Sequence, residues 1–187
     1  MNKKEFVTQI PEPSISRIIF ADTRFAWIWV MIRLYVGWFW IKVGWEKALD
    51  PMWTGDRAGI IVKGFISAAL NKTRGTYPDV SEWYAFFLKE IVLPYAEPVS
   101  YIVAYGEVLV GAGLILGAFT GLAAFFGSLM NMSYLFAGTV SVNPIMALLQ
   151  LFLILAWRVA GWIGVDRYLL PLLGTPWHPG KLFSKLN

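Results

Sequence analysis

Apolar residues gather along this chain into four long runs, separated by segments where charge, proline and glycine concentrate. The runs cover about residues 25–47, 98–118, 120–138 and 145–164. At about 1.5 Å of rise per residue, a helix of some twenty residues crosses a hydrocarbon core of roughly 30 Å. The pattern therefore predicts an all-α integral membrane protein, a four-helix transmembrane bundle forming one domain over residues 1–187. Asp50 and Pro51 stop the first run and Pro98 opens the second. A short turn at Thr120 and Gly121 makes the second and third antiparallel neighbours, and Asn143 and Pro144 turn the chain into the fourth.

The stretch between the first two runs, 50–97, is too long for an empty loop. Residues 56–70 carry an apolar face broken by Lys63, and residues 81–93 start at a serine and alternate aromatics with charges. Both are too short and too polar to span, so the reading is two amphipathic helices capping the outer side of the bundle. Residues 14–20 read as a short interfacial helix, and residues 1–24 lack the apolar stretch and cleavage site of a secretory signal.

Composition supports a membrane class, since 57% of the 187 residues are hydrophobic and only 15% charged, against about 45–50% and about 25% in soluble domains. There is no cysteine, which excludes disulfides, thiol relays, iron–sulfur clusters and thiolate metal sites. The net charge of +4 is spread over both ends and fits the flanks of membrane helices, not nucleic acid. Lys3, Lys4, Arg17, Arg24, Arg167, Lys181 and Lys185 lie in the two tails, 1–24 and 165–187. Their weight places both termini in the cytoplasm of a multi-pass cell-membrane protein.

Polar residues inside the runs carry the candidate chemistry. Arg33, Gly37, Trp40, Gly44 and Lys47 recur at helical spacing, so one stripe of the first helix faces protein or ligand. An arginine within the bilayer costs about 2.5 kcal/mol or more without a partner. Counting residues inward from each membrane face brings Arg33, Glu107 and Asn131 to one height, which predicts a midplane cluster with Lys47 at its outer mouth. A plainer reading has Arg33 and Glu107 pair only to fix helix register. Lys42 and Glu46 read as a structural i, i+4 pair, and Arg158 as an anchor. His178, the single histidine, has no partner for haem or metal. Gly113, Gly117 and Gly121 form small-xxx-small patterns that permit close helix approach. Trp38, Trp40 and Trp45 are enough to line an aromatic slot.

The pattern R-x3-G-x6-G-x2-K-x2-D-P from Arg33 to Pro51 resembles the first helix of the DoxX/DoxD family. The likeness continues through Glu107 to Gly117, through N-M-S-Y-L-F-A-G at 131–138, through S-x-N-P at 141–144, and through A-G-x-x-G-x-D-R at 160–167. The long loop with Trp83 and Tyr84 is similar to the DoxD branch. That branch supplies the membrane subunit of thiosulfate:quinone oxidoreductase, which joins two thiosulfates to tetrathionate and passes the electrons to quinone with a second subunit, DoxA. The resemblance implies an oxidoreductase subunit with quinone as electron acceptor, no metal or haem, a separate DoxA-like partner and a homo-oligomer in the bilayer. The candidate catalytic residues are then Arg33, Glu107 and Lys47, and the candidate ligand-binding residues Trp40, Asn131, Tyr134 and Asn143. Lys47, Arg57, Lys63 and Lys72 are the cations available to thiosulfate. The chain offers no redox group of its own, which keeps open a non-catalytic scaffold recruiting a redox partner, and intramembrane charge keeps open a small transporter.

Overall fold

A computed structural model describes residues 13–174. Lys3, Lys4, His178, Lys181 and Lys185, on which part of the topology and metal reading rests, lie outside the described residues. The described residues are helical and contain no strand.

The chain enters through a short helix, α1 (Ser14–Ala21), none of whose residues is buried. Asp22 then caps the turn that opens the next helix, its carboxylate accepting from the Arg24 backbone N–H at 2.9 Å. Helix α2 (Ala26–Leu49) runs 24 residues and buries Ala26, Trp29, Arg33, Val36, Gly37, Trp40 and Gly44. Those positions form the stripe marked by the sequence, with Lys47 following half-buried on the same line. Asp50 ends α2 and caps α3 (Pro51–Thr54), accepting from the Met52 N–H at 2.9 Å. Helix α4 (Ile60–Asn71) follows.

The next helix departs from the segmentation read off the sequence. It does not begin at Pro98: helical structure is continuous over Glu82–Leu116, 35 residues. It starts as α5 (Glu82–Phe86), widens into a π-helical turn over Phe87–Val92, tightens at Leu93–Tyr95 and continues as α6 (Ala96–Leu116). The prolines explain the continuity. Pro94 sits at the first turn of the tightened segment and Pro98 in the first turn of α6, where a missing N–H removes little. The π turn absorbs the change of register.

Gly117 ends α6 in the left-handed conformation (φ +65°) that glycine adopts without penalty. After it come α7 (Thr120–Phe136), α8 (Asn143–Leu155), α9 (Trp157–Ala160) and α10 (Asp166–Leu172). Among the described residues two helices are long and apolar enough to cross a membrane, Thr23–Leu49 and Glu82–Leu116. At 17 and 13 residues, α7 and α8 fall short of the roughly 20 a perpendicular span needs.

α2, α6, α7 and α8 enclose a common core of Trp29, Val36, Trp40, Val110, Leu114, Ala124, Met146 and Leu153. The α2–α6 contact sets the register of everything else. A Cβ on Gly37 would stand 3.0 Å from the Gly111 carbonyl, and one on Gly44 2.7 Å from the Val108 nitrogen. The two backbones therefore touch at two levels, and only glycine allows it. Gly111, outside the small-xxx-small pattern, makes this crossing. Gly113 faces Ala123 of α7, Gly121 faces Trp157, and Gly117 serves the end of α6.

A second apolar cluster, with Val62, Ile66, Val80, Tyr84, Leu88 and Ala96, joins α4 and the α5 segment to the top of α6 and α7. Two polar ties fasten it. Tyr84 Oη donates to the Ser133 carbonyl at 2.9 Å, and Lys72 Nζ donates to the Gly138 carbonyl at 2.7 Å.

Candidate functional site

The α2–α6 register decides which intramembrane charges meet. Because Gly44 abuts Glu107 and Val108, Glu107 stands opposite the last turns of α2, about eleven residues or ~16 Å along the axis from Arg33. Glu107 therefore pairs with Lys47, not with Arg33. Lys47 Nζ lies 2.5 Å from Glu107 Oε1. Tyr134, arriving on α7, donates its hydroxyl to the same oxygen at 2.8 Å and accepts from Lys47 Nζ at 3.0 Å. Glu107 is fully buried, and only 15% of the Lys47 side chain is exposed. Trp53 and Tyr134 flank the ammonium with ring faces, their centroids 4.7 and 5.3 Å from Nζ, an arrangement that favours a cation. An ammonium carries three donors, of which Glu107 and Tyr134 take two.

Arg33 goes elsewhere. Its guanidinium donates to the Leu114 carbonyl at 3.2 Å and to the Ile163 carbonyl. It lies in a slot that exists because Gly117 and Gly164 lack side chains; a methyl group on Gly117 would overlap the guanidinium. Arg33 thus clamps the carbonyl end of α6 to the segment after α9, a structural duty that a charge-rich fork performs well. Asp166 completes this corner. Its carboxylate accepts from the Phe119 N–H at 2.6 Å and the Thr120 N–H at 2.8 Å, capping α7 and holding Phe119 in the left-handed region (φ +48°). Sequence reading placed Asp166 in the A-G-x-x-G-x-D-R motif and at the start of the tail but gave it no role; nothing local to it shows that it caps a helix beginning at Thr120.

Asn131 also stays apart from Glu107. Its amide donates to Gln150 Oε1 at 2.6 Å, joining α7 to α8, with both residues buried. The proposed Arg33–Glu107–Asn131 cluster is thus three separate contacts, each with its own partners. Trp40 is buried in the core and its ring nitrogen has no hydrogen-bond partner among the described residues. Asn143 donates to the Thr139 carbonyl at 2.9 Å, tightening the turn before α8. Of the seven sequence candidates, the structure brings together Lys47, Glu107 and Tyr134.

Those three form the polar end of a cavity of about 340 Å³. Its walls are otherwise almost wholly apolar: Trp53 from α3, Phe65 and Ile66 from α4, Leu88 from the π turn, Val103 from α6 and Met130 from α7. Lys47 and Tyr134 line it directly, and Glu107 stands behind them. Its volume is at the lower end of the roughly 300–1,000 Å³ typical of ligand pockets, and an apolar body with a few convergent polar groups is the usual composition of such sites. A second hollow of about 420 Å³ opens beside Phe119, Trp157 and Asp166, but that carboxylate is already committed to the α7 cap. Chemically, the first cavity offers one ammonium N–H and one phenolic oxygen to a ligand, backed by a carboxylate that shares protons with both. It suits a flat apolar ring with a hydrogen-bond acceptor.

No curated protein and no solved structure matches the chain. The DoxX family model matches residues 28–140, a segment that contains nearly all of α2, the cap and all three residues of the polar end. With more than half of its length inside that match, the chain belongs to the DoxX family and is a membrane protein of the DoxX type.

Proposed function

We propose that the protein is the membrane subunit of a quinone-linked oxidoreductase and that the cavity above Lys47 and Tyr134 receives the quinone ring. One observation carries this reading: an apolar cavity of ring size ends on a polar cluster, Lys47 and Tyr134 backed by the Glu107 carboxylate that accepts from both. In this reading the Lys47 ammonium donates its remaining N–H to a ring carbonyl, and Trp53 and Phe65 pack on the ring faces. A quinone reduced there takes up two electrons and two protons. The polar end suits the proton side of that change, because the Tyr134 hydroxyl already shares its proton with Glu107 and can pass charge between the carboxylate and the ammonium.

The electron donor rests on the resemblance to the DoxD branch, which supports thiosulfate: two molecules joined to tetrathionate release the two electrons. A dianion is poorly served inside the cavity, where Lys47 is already neutralised by Glu107 and the walls are apolar. The donor therefore reacts outside it, near Arg57 and Lys63 on the cap, with a DoxA-like partner subunit. In the membrane we assign α2, α6, α7 and the α8–α9 pair to four spans, with both termini cytoplasmic and the cap outside. A homo-oligomer fits the same reading.

The absence of cysteine favours a second reading, a non-catalytic scaffold that recruits a redox enzyme, because the chain has no thiol to carry electrons. Purification from membranes followed by solvent extraction separates the two. The oxidoreductase reading expects co-purifying quinone and thiosulfate-dependent quinone reduction once the partner is added. Protein free of quinone and inert with its partner would leave the scaffold.

A further inference from the structure

We infer that the cavity opens sideways between α6 and α7 into the lipid, so that it takes a ring bearing a long hydrocarbon tail, with the tail leaving through that seam. The inference rests on the ring-binding reading above and adds the route and the class of ligand.

The α6–α7 hairpin is tight at its turn, where a Cβ on Gly113 would stand 3.1 Å from the Ala123 Cβ. Further up, a Cβ on Gly106 would meet only the tip of Met130, its sulfur 3.9 Å away. At that height Val99 and Val103 of α6 and Met130 and Ser133 of α7 have become walls of the cavity. The opposite side is shut, since α2 and α6 touch through Gly44 at the level of Glu107. The roof is shut by the buried Val62 and Ile66 of α4 and by Leu88.

Among the residues lining the cavity, Phe87 alone is exposed, at 38%. It begins the π turn, a geometry often found at functional positions. Outside, Ile102 on α6, Leu129 and Phe136 on α7 and Phe86 beside the π turn are all exposed and all apolar. A mouth bordered this way faces hydrocarbon at lower cost than water. A single side-chain hydrogen bond, Tyr84 Oη to the Ser133 carbonyl, ties the cap to α7 at this point. Finally, about 340 Å³ accommodates a substituted ring but leaves no space for a long tail. A tailed ligand seated on Lys47 must therefore extend out of the cavity, and the apolar seam is where it can.

The test is photolabelling of the unmodified protein in lipid nanodiscs with a quinone analogue that carries a diazirine on a ten-carbon tail. Adducts are mapped by mass spectrometry with and without excess untagged analogue. The expected result is suppressible labelling of residues 99–109 and 126–136. Suppressible labelling confined to α4, or to the outward faces of α2 and α8, would overturn the lateral route while leaving ring binding in place. If no labelling is suppressible, and the untagged analogue also shows no saturable binding, the ring-binding reading itself fails and this inference falls with it.

Discussion

Lys47 and Glu107, sixty residues apart in sequence, form an ion pair of 2.5 Å inside the helix bundle, with the Tyr134 hydroxyl bonded to both partners. Among the described residues neither charge has a second ion-pair partner, and Arg33 is engaged at the other end of α2. Removing one member leaves the other buried and uncompensated, which typically costs about 3–5 kcal/mol. Glu107→Leu or Lys47→Met alone should therefore lower the thermal midpoint in detergent markedly. The double replacement should recover most of that loss, since apolar residues often replace a buried pair without penalty. A double mutant as unstable as the worse single one would contradict the pairing.

The Arg33 slot predicts which glycines are indispensable. Gly117→Ala places a methyl group on the guanidinium and forces a left-handed φ on alanine, so it should destabilise by about 2 kcal/mol or more. Gly64→Ala, in the middle of α4 with nothing within 4 Å of its Cβ position, should be neutral or gain up to about 1 kcal/mol. Melting curves of the two variants check the contrast.

Asp166 caps a helix that begins 46 residues earlier in the chain. Replacing it with alanine leaves the Phe119 and Thr120 N–H groups without their acceptor and should cost about 1–2 kcal/mol. Asp166→Asn keeps one acceptor oxygen and should cost less. Amide hydrogen exchange at residues 119–123 reads this directly: exchange should accelerate in the alanine variant and change little at the Lys47 end of the bundle.

Much of this was legible in the sequence, and the part that was not has an identifiable cause. Helical class follows from the apolar runs, and family membership from the ordered motifs. The buried stripe of α2 follows from spacing alone, because Arg33, Gly37, Trp40 and Gly44 fall on one face and all four are buried. What spacing cannot supply is the offset between two helices. Counting inward from membrane faces put Glu107 level with Arg33 on the assumption that α6 begins at Pro98, whereas the helix extends back to Glu82. The true offset is set where glycine meets glycine, Gly37 against Gly111. Reading those two as the crossing point would have placed Glu107 opposite Ile41, eight residues along α2 from Arg33 and on the Lys47 side, within a turn of its actual place beside Gly44. The Arg33 clamp was hidden for another reason: its partners are backbone carbonyls of Leu114 and Ile163, and any residue type presents a carbonyl.

Tyr134→Phe separates the polar end's structural part from its part in ligand binding. The phenyl ring still fills the cavity wall and the Lys47–Glu107 pair remains, so the loss of two hydrogen bonds should cost only about 1–3 kcal/mol of stability. The decisive measurement is the binding isotherm of a decyl-tailed quinone to the purified protein in nanodiscs, followed by tryptophan quenching, for the wild-type chain and for Tyr134→Phe. Saturable binding of one quinone per wild-type chain is expected, with at least tenfold weaker binding by the folded variant. Saturable binding of equal strength by both proteins, or none by the wild type, would contradict that expectation.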